Sequence, residues 1–255
     1  MRERPRILVV NDDGINATGI KTLERIARQL SDDVWVVAPE MNQSGTGHSL
    51  TLNRPLRIRR LGECHFAVDG TPTDCVLLAI QHVIKDRPVD LVLSGINHGS
   101  NMAEDVTYSG TVAAAMEATL FHVPAIAFSQ QAADRKQVRW DTAERWAPDL
   151  LRRLLAAGWA GEVLLNINLP DRAPEEVRGW KVARQGMRKI GDDLVERIDP
   201  RGEPYVWIGA LRESTDAGEG TDLAAVAEGY ISVTPVHLDM THTPSLGVLR
   251  EAIDG

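Results

Sequence analysis

Apolar residues follow two alternating patterns over the first two thirds of the chain. Short continuous runs rich in Val, Ile and Leu are typical of strands buried on both faces of a parallel sheet. Such runs predict strands at residues 7–10, 33–40, 89–93, 123–128 and 163–169, with two shorter strands at 56–60 and 65–68. Segments with apolar residues at helical spacing predict helices at residues 19–30, 71–84, 109–120 and 142–157. This alternation predicts a doubly wound α/β fold with a mostly parallel sheet.

The pattern changes after about residue 170. Strands are predicted at residues 180–185, 205–211 and 230–235, with Gly- and Asp-rich turns around residues 191–204 and 214–222. We expect residues 1–255 to form a single domain, with a core of about residues 1–170 and an extension with closing strands over about 171–255. We do not expect the main sheet to supply partners for all the late strands. They therefore predict a hairpin that leaves the body and pairs with another subunit.

Composition and charge narrow the class of protein. The 255 residues carry a formal net charge of −8, which argues against a surface that coats a nucleic-acid polymer. No apolar run approaches the roughly 18 residues of a membrane-spanning helix, and the charged N-terminus runs directly into the first strand. Cys64 and Cys75 form neither a zinc-binding nor a disulfide pattern. We expect a cytoplasmic protein that binds neither a membrane nor a nucleic-acid polymer.

Three polar loops follow buried strands of the predicted sheet. Asp12 and Asp13 end the first strand, residues 44–47 follow the second, and residues 94–97 with Asn101 follow the strand at 89–93. Open α/β sheets bind ligands at the edge where the carboxyl ends of parallel strands meet. A turn with a helix cap would also use such residues, but two adjacent carboxylates repel each other unless a cation neutralises them. Carboxylate, hydroxyl and amide oxygens suit Mg²⁺, Mn²⁺ or Ca²⁺.

The same loops carry features of an anion site. Gly45 and Gly47 allow a ligand to approach the backbone closely. Residues 108–111 open a helix whose free N–H groups and dipole favour a phosphate. A cation beside a phosphate cradle indicates phosphoryl chemistry. The chain contains neither GxGxxG nor GxxxxGK[ST], which disfavours dinucleotide oxidoreductases and P-loop ATPases.

Several motifs together resemble one known family. The segments VNDDG (10–14), SGTGHSLT (44–51), GTPTDCV (70–76), YSGTVAAAMEA (108–118) and GYISVTP (229–235), with SGIN at 94–97, are similar in order and spacing to the SurE family of stationary-phase survival proteins. The resemblance implies a Rossmann-like core with a C-terminal extension exchanged within a homodimer or homotetramer. It also implies a divalent-metal-dependent phosphomonoesterase acting on nucleoside 5′- and 3′-monophosphates, and in some members on short polyphosphate.

The resemblance also implies the residues of the site. One divalent ion per subunit, Mg²⁺ or Mn²⁺, would be held by Asp12, Asp13, Ser44 and Asn97, and both aspartates would be catalytic. The groups implied to contact phosphate are Gly45, Thr46, Asn101, Ser109, Gly110 and Thr111. In the mechanism we favour, Asp12 orients a water molecule that attacks phosphorus in line.

The sequence leaves open one alternative mechanism and one alternative function. Asp12 could itself attack and form an aspartyl phosphate, although that chemistry usually spaces its aspartates by one residue. The chain could also be a non-catalytic protein that senses nucleotide or phosphate.

The aromatic and imidazole side chains are less informative. His48 is either a loop histidine that bonds neighbouring backbone or a general acid, and His98 receives no role. For the tryptophans in or beside predicted elements we favour packing over base stacking; these are Trp35, Trp140, Trp146, Trp159 and Trp180.

Overall fold

The computed structural model describes residues 4–134, 136–188, 194–208 and 218–254. Its strands are β1 Ile7–Val10, β2 Val34–Pro39, β3 Ile58–Arg60, β4 His65–Val68, β5 Leu91–His98, β6 Ala125–Gln130, β7 Val163–Leu169, β8 Trp180–Val182, β9 Leu194–Ile198, β10 Pro204–Ile208 and β11 Ile231–His237. Its α-helices are α1 Thr18–Ala27, α2 Pro72–Leu78, α3 Gly110–Leu120, α4 Trp140–Ala157, α5 Asp222–Ala227 and α6 Thr243–Asp254. None of these helices combines the length and hydropathy that a membrane crossing requires.

Nine strands form one sheet in the order β3-β4-β2-β1-β5-β6-β7-β11-β8. The six strands from β4 to β7 in this order are mutually parallel, whereas β3 and β11 run antiparallel to their neighbours β4 and β7. The chain winds to one side of β1 through β2 and to the other side through β5. The doubly wound, mostly parallel α/β fold is therefore confirmed.

Helices cover both faces of the sheet because successive side chains of β1 point to opposite sides. Ile7 and Val9 pack with apolar residues of α1 and α4, and Leu8 and Val10 pack with those of α2 and α3. All four of these β1 side chains have no exposed surface. A strand covered on both faces explains why the apolar run at residues 7–10 is continuous.

Most of the tryptophans pack, as expected. Trp35 stacks on Phe66 with ring centroids 6.0 Å apart, and Trp146 meets Trp180 edge-on at 5.5 Å. Trp140 and Trp159 are partly buried against the core beneath α1 and α4. Packing is therefore confirmed as a role for these indoles.

The structure corrects several predicted boundaries in the core. The strand predicted at 89–93 runs on as β5 to His98, so Ser94 and Asn97 lie within a strand rather than in a loop. The extra length is accommodated by a register shift between Ser94 and Asn97 opposite β6. The helix predicted at 71–84 is α2 followed by a π-helical turn, Ala79–Val83.

The C-terminal part shows both confirmed and wrong predictions. β8 and β11 join the main sheet, whereas the strand predicted at 205–211 does not, so the main sheet supplies partners for only some of the late strands, as expected. β9 lies in a segment predicted as a turn, and α5 and α6 were not predicted. The predicted strand at 205–211 is observed as β10 up to Ile208. Residues 209–211, and residues 214–217 of the turn predicted at 214–222, lie outside the described residues.

β9 and β10 form the expected C-terminal hairpin. They pair with each other antiparallel, as a two-stranded sheet separate from the main one. Large apolar side chains of both strands are more than half exposed; they are Leu194, Ile198, Val206, Trp207 and Ile208. A two-stranded ribbon with exposed apolar side chains is marginally stable alone, so contact with another surface would stabilise it.

Close packing of α1 on β5 generates a test of the fold. A Cβ at Gly19 would lie 2.0 Å from the Ile96 carbonyl oxygen. Either α1 or β5 would have to move to relieve this clash. We expect Gly19→Ala to lower the free energy of unfolding by about 2–4 kcal/mol in urea denaturation. Gly161→Ala is the matched control, because a Cβ there meets nothing within 4 Å. Equal stability of the two variants would contradict this packing.

Candidate active site

The three polar loops meet at the carboxyl edge of the sheet, as predicted. The Gln43 N–H donates to the Asp12 carbonyl oxygen at 2.7 Å, which joins the second loop to the first. The His98 N–H donates to Asp13 Oδ2 at 3.1 Å, and the Asn42 side-chain amide donates to Asp13 Oδ1 at 3.3 Å. Asp12 and Asp13 are therefore at the centre of this edge.

Asp12 is a buried carboxylate held against the start of α3. Only 3% of the residue is exposed, and Oδ1 accepts a hydrogen bond from the Thr111 hydroxyl. Gly110 permits this approach, because a Cβ there would lie 2.8 Å from Asp12 Cβ. Asp12 thus occupies the end of a helix where an anion is favoured.

Burial raises the pKa of Asp12 from 3.8 to about 6. The hydrogen bond from Thr111 lowers this pKa, and the neighbouring charge of Asp13 raises it further. Desolvation of the charged form is the largest of these effects. A nearby cation would favour the ionised form and remove most of this cost.

The proposed ligand Ser44 belongs to the second loop, and Asn97 lies near the end of β5. Ser44 is exposed, and its N–H donates to Asn42 Oδ1 at 2.8 Å within the loop that Gln43 anchors to Asp12. The Asn97 side-chain amide nitrogen donates to the Gly99 carbonyl at 2.9 Å, which leaves the amide oxygen as the atom suited to a cation. In the described ranges no three His, Cys, Asp or Glu side chains form a metal-binding cluster. A cation here would need these neutral oxygens beside the two carboxylates.

The proposed phosphate-contacting residues are arranged around the start of α3. The Ser109 side chain accepts from the Val112 N–H at 3.1 Å as the helix cap, and the Thr111 hydroxyl is engaged with Asp12. Because the Val112 N–H is bonded to Ser109 and the Thr111 N–H to Asp12, the Gly110 N–H is the first-turn donor best placed for a further anion.

The glycine-rich loop contributes backbone conformation rather than side chains. Gly45 and Gly47 have φ of +78° and +55°, which favour glycine. The Gly47 N–H donates to the Tyr108 carbonyl at 3.1 Å, so this loop lies next to the start of α3. The Thr46 hydroxyl donates to the Gln43 carbonyl at 2.8 Å and stabilises the loop itself.

Asn101 is supported by two buried residues that the sequence analysis missed. Its N–H donates to Asn168 Oδ1 at 2.8 Å, and its carbonyl accepts from Asn166 and Asn168 at 2.8 and 3.1 Å. Its side-chain amide donates to Ser129 Oγ at 2.9 Å. The signal was available in the sequence, because two asparagines at alternate positions of an apolar strand share one face.

His48 does not bond neighbouring backbone, so that interpretation was wrong. Its Nε2 lies 2.9 Å from Glu117 Oε2, and Glu117 is a buried residue of α3. This contact links the glycine-rich loop to α3 from a second side.

The fold and this edge define a class of protein: a doubly wound α/β protein whose first strand ends in paired carboxylates facing a helix N-terminus. The family model described as "Survival protein SurE" matches residues 7–192. The chain belongs to the SurE family.

Relatives match nearly the whole chain. It is 60% identical to the 5′-nucleotidase SurE of Paramagnetospirillum magneticum, with 97% of this chain and 95% of that protein covered. It is 54% identical to the 5′-nucleotidase SurE of Parvibaculum lavamentivorans, with 97% and 91% covered. The crystal structure of the SurE protein from Aquifex aeolicus aligns with a TM-score of 0.85 and 42% identity, over 97% of this chain and 99% of that one.

Because Asp12 is buried, replacing its carboxyl group should change the stability of the protein. In metal-free protein at pH 8, we expect Asp12→Asn to raise the free energy of unfolding by about 1–2 kcal/mol, because the buried carboxylate no longer has to ionise. The gain should shrink as the pH falls from about 6 to below 4, where wild-type Asp12 becomes protonated in both states.

Urea denaturation in excess EDTA measures this difference. Asp32→Asn is the control, since the side chain of Asp32 is 74% exposed. An Asp12→Asn variant that is no more stable than wild type at pH 8 would contradict the view that ionised, buried Asp12 destabilises the metal-free protein.

Proposed function

We propose that this chain is a 5′-nucleotidase that uses a divalent cation to hydrolyse nucleoside 5′-monophosphates to nucleoside and phosphate. The observation that carries the proposal is the pair Asp12 and Asp13 at the start of α3, where a cation and a phosphate can be held side by side. The activity in the names of two similar relatives, both 5′-nucleotidases, supports the same reaction. Nucleoside 3′-monophosphates and short polyphosphate present the same phosphoryl group and are proposed as further substrates.

The cation in this proposal is one Mg²⁺ or Mn²⁺ per subunit, held by Asp12, Asp13, Ser44 and Asn97. The donor set fits a hard cation, because every ligand atom is oxygen. Burial and the adjacent charge of Asp13 disfavour the ionised form of Asp12, and its pKa is raised accordingly. A bound cation would favour the ionised form, so this environment also fits a cation site. When bound, the cation would polarise a phosphate oxygen and neutralise charge on the transferred group.

The protein side chains position the reacting groups. Thr111 and Gly110 fix Asp12, and the His98 N–H fixes Asp13. The Asp12 carboxylate orients an attacking water molecule and accepts its proton as the water oxygen bonds to phosphorus. The bond from phosphorus to the nucleoside oxygen then breaks, that oxygen takes up a proton from solvent to give the nucleoside hydroxyl, and the start of α3 binds the phosphate oxygens.

Phosphate release from a nucleoside 5′-monophosphate tests this function. We expect Mg²⁺- or Mn²⁺-dependent turnover that EDTA abolishes, and a loss of at least about 10²-fold in kcat for Asp13→Asn with the fold intact. Asp32→Asn should keep wild-type activity. Turnover that resists EDTA, or survives in Asp13→Asn, would contradict the proposed centre. Tight nucleotide binding without turnover would instead favour a sensing protein.

We also propose that the chain forms a homodimer or homotetramer through the β9–β10 hairpin. The support is the row of exposed apolar side chains on a ribbon that stands apart from the main sheet. A second copy of the chain offers the same apolar surface, as a symmetric interface requires.

Replacement of one hairpin side chain tests the association. Trp207 is 65% exposed, and we expect Trp207→Glu to shift the oligomer towards monomer in sedimentation velocity, because a charge in an apolar interface is costly. Arg197→Glu, in the facing strand, controls for a charge change on the hairpin. A wild-type protein that is monomeric at micromolar concentration would contradict the proposal.

A further inference from the structure

A cleft of about 500 Å³ opens beside the candidate centre. Asp13 and His98 form one wall, Thr18 at the start of α1 forms another, and the segment from Lys136 to Trp140 at the start of α4 forms the third. Its volume lies within the range of small-molecule sites. Apart from Asp13 and the His98 N–H that holds it, the residues that line this cleft have no role in the hydrolysis proposed above.

The position of the cleft relates it to the phosphate site. α3 packs against the face of the sheet formed by Leu8 and Val10, whereas α1 and α4 pack against the opposite face. The paired carboxylates lie between the two faces, and Asp13 belongs to both the candidate centre and the cleft. A substrate whose phosphate reaches the start of α3 therefore has the cleft available for its remaining part.

The lining of the cleft has the chemistry of a nucleoside site. Trp140 and His98 present aromatic rings whose centroids are 6.3 Å apart with an interplanar angle of 76°. Aromatic faces bind nucleobases by stacking. The exposed side chains of Lys136 and Gln137 add hydrogen-bond donors and an acceptor that match the polar edge of a base.

Two further features supply hydrogen-bonding groups for the ligand. Neither α1 nor α4 has a side-chain cap at its N-terminus. In α4 the Trp140 and Thr142 N–H groups already donate to the Val138 and Arg139 carbonyls, so the N–H group of Thr18 at the start of α1 is the donor that the missing cap leaves for a ligand. His98 Nε2 is buried and lacks a hydrogen-bond partner within the described part of the chain. A sugar or base with several polar atoms satisfies such groups better than an alkyl chain would.

We propose that this cleft binds the nucleoside part of the substrate, with the base against Trp140 and its polar edge on Gln137 and Lys136. This inference rests on the proposed function and extends it from the phosphate to the leaving group. Trp140 then has two roles, since it also packs partly against the core. From the sequence we favoured packing over base stacking for Trp140, which accounts for only one of these two roles.

Comparison of two substrates tests the proposal. A nucleoside 5′-monophosphate and ribose 5-phosphate share the phosphate and the sugar, but only the first has a base. We expect wild type to favour the nucleotide in kcat/KM by about tenfold or more. Trp140→Leu and Gln137→Ala should each lower kcat/KM for the nucleotide about five- to tenfold, through KM, and leave ribose 5-phosphate within twofold.

Gln81→Ala is the matched control, because Gln81 is an exposed glutamine in the turn after α2. Wild-type kinetics in Gln137→Ala, or equal losses on both substrates in Trp140→Leu, would overturn the proposed nucleoside site. If wild type hydrolyses neither substrate, the proposed function fails, and calorimetry of nucleotide binding decides the cleft separately. Weaker binding in both variants than in Gln81→Ala supports the site, and unchanged or undetectable binding overturns it.

Discussion

Burial of one of two adjacent carboxylates at the end of β1 is the constraint on which the site depends. Asp12 is buried, and its elevated pKa shows that its charge is poorly compensated by the protein alone. Thr111 and Gly110 nevertheless hold it at the start of α3, and the His98 N–H holds Asp13. The protein accepts this cost where a cation would remove it, and the same helix terminus can then receive a phosphate.

The C-terminal extension is attached to the same region. Arg188 donates to Asp105, and both side chains are largely buried. The Ala103 N–H donates to Asp222 Oδ2 at 3.0 Å, and the Gly186 N–H donates to Asp222 Oδ1 at 2.9 Å. These bonds join the extension to the segment that leads from Asn101 into α3. A displaced extension would therefore disturb the site as well as the proposed subunit contact.

Sequence patterns predicted the core of this fold well, because each buried strand and its helix leave a local hydrophobic signature. They also placed Asp12 and Asp13 correctly at the sheet edge, since a parallel sheet brings the ends of its strands together. The continuation of β5 to His98 was missed because polar residues ended the apolar run. β9 was missed because its sequence, LVERI, does not alternate polar and apolar residues and the strand has no buried residue, and α5 because it is only six residues long.

Partners that depend on tertiary structure could not be read from local patterns. The support of Asn101 by Asn166 and Asn168 joins segments about 65 residues apart, and the bond from His48 to Glu117 spans 69. The cleft beside Asp13 is likewise built from the starts of α1 and α4, which are far apart in the chain. Motifs located the candidate site residues, but the residues that hold them in place appear only in the folded protein.

Direct Mn²⁺ binding tests, without reference to turnover, whether Asp12 and Asp13 form a cation site. Metal-free protein can be titrated with Mn²⁺ while electron paramagnetic resonance reports the free ion. We expect wild type to bind one Mn²⁺ per chain and Mg²⁺ to displace it. We expect Asp13→Asn to bind Mn²⁺ about tenfold or more weakly. Equal affinity and stoichiometry in wild type and Asp13→Asn would contradict the proposed cation site.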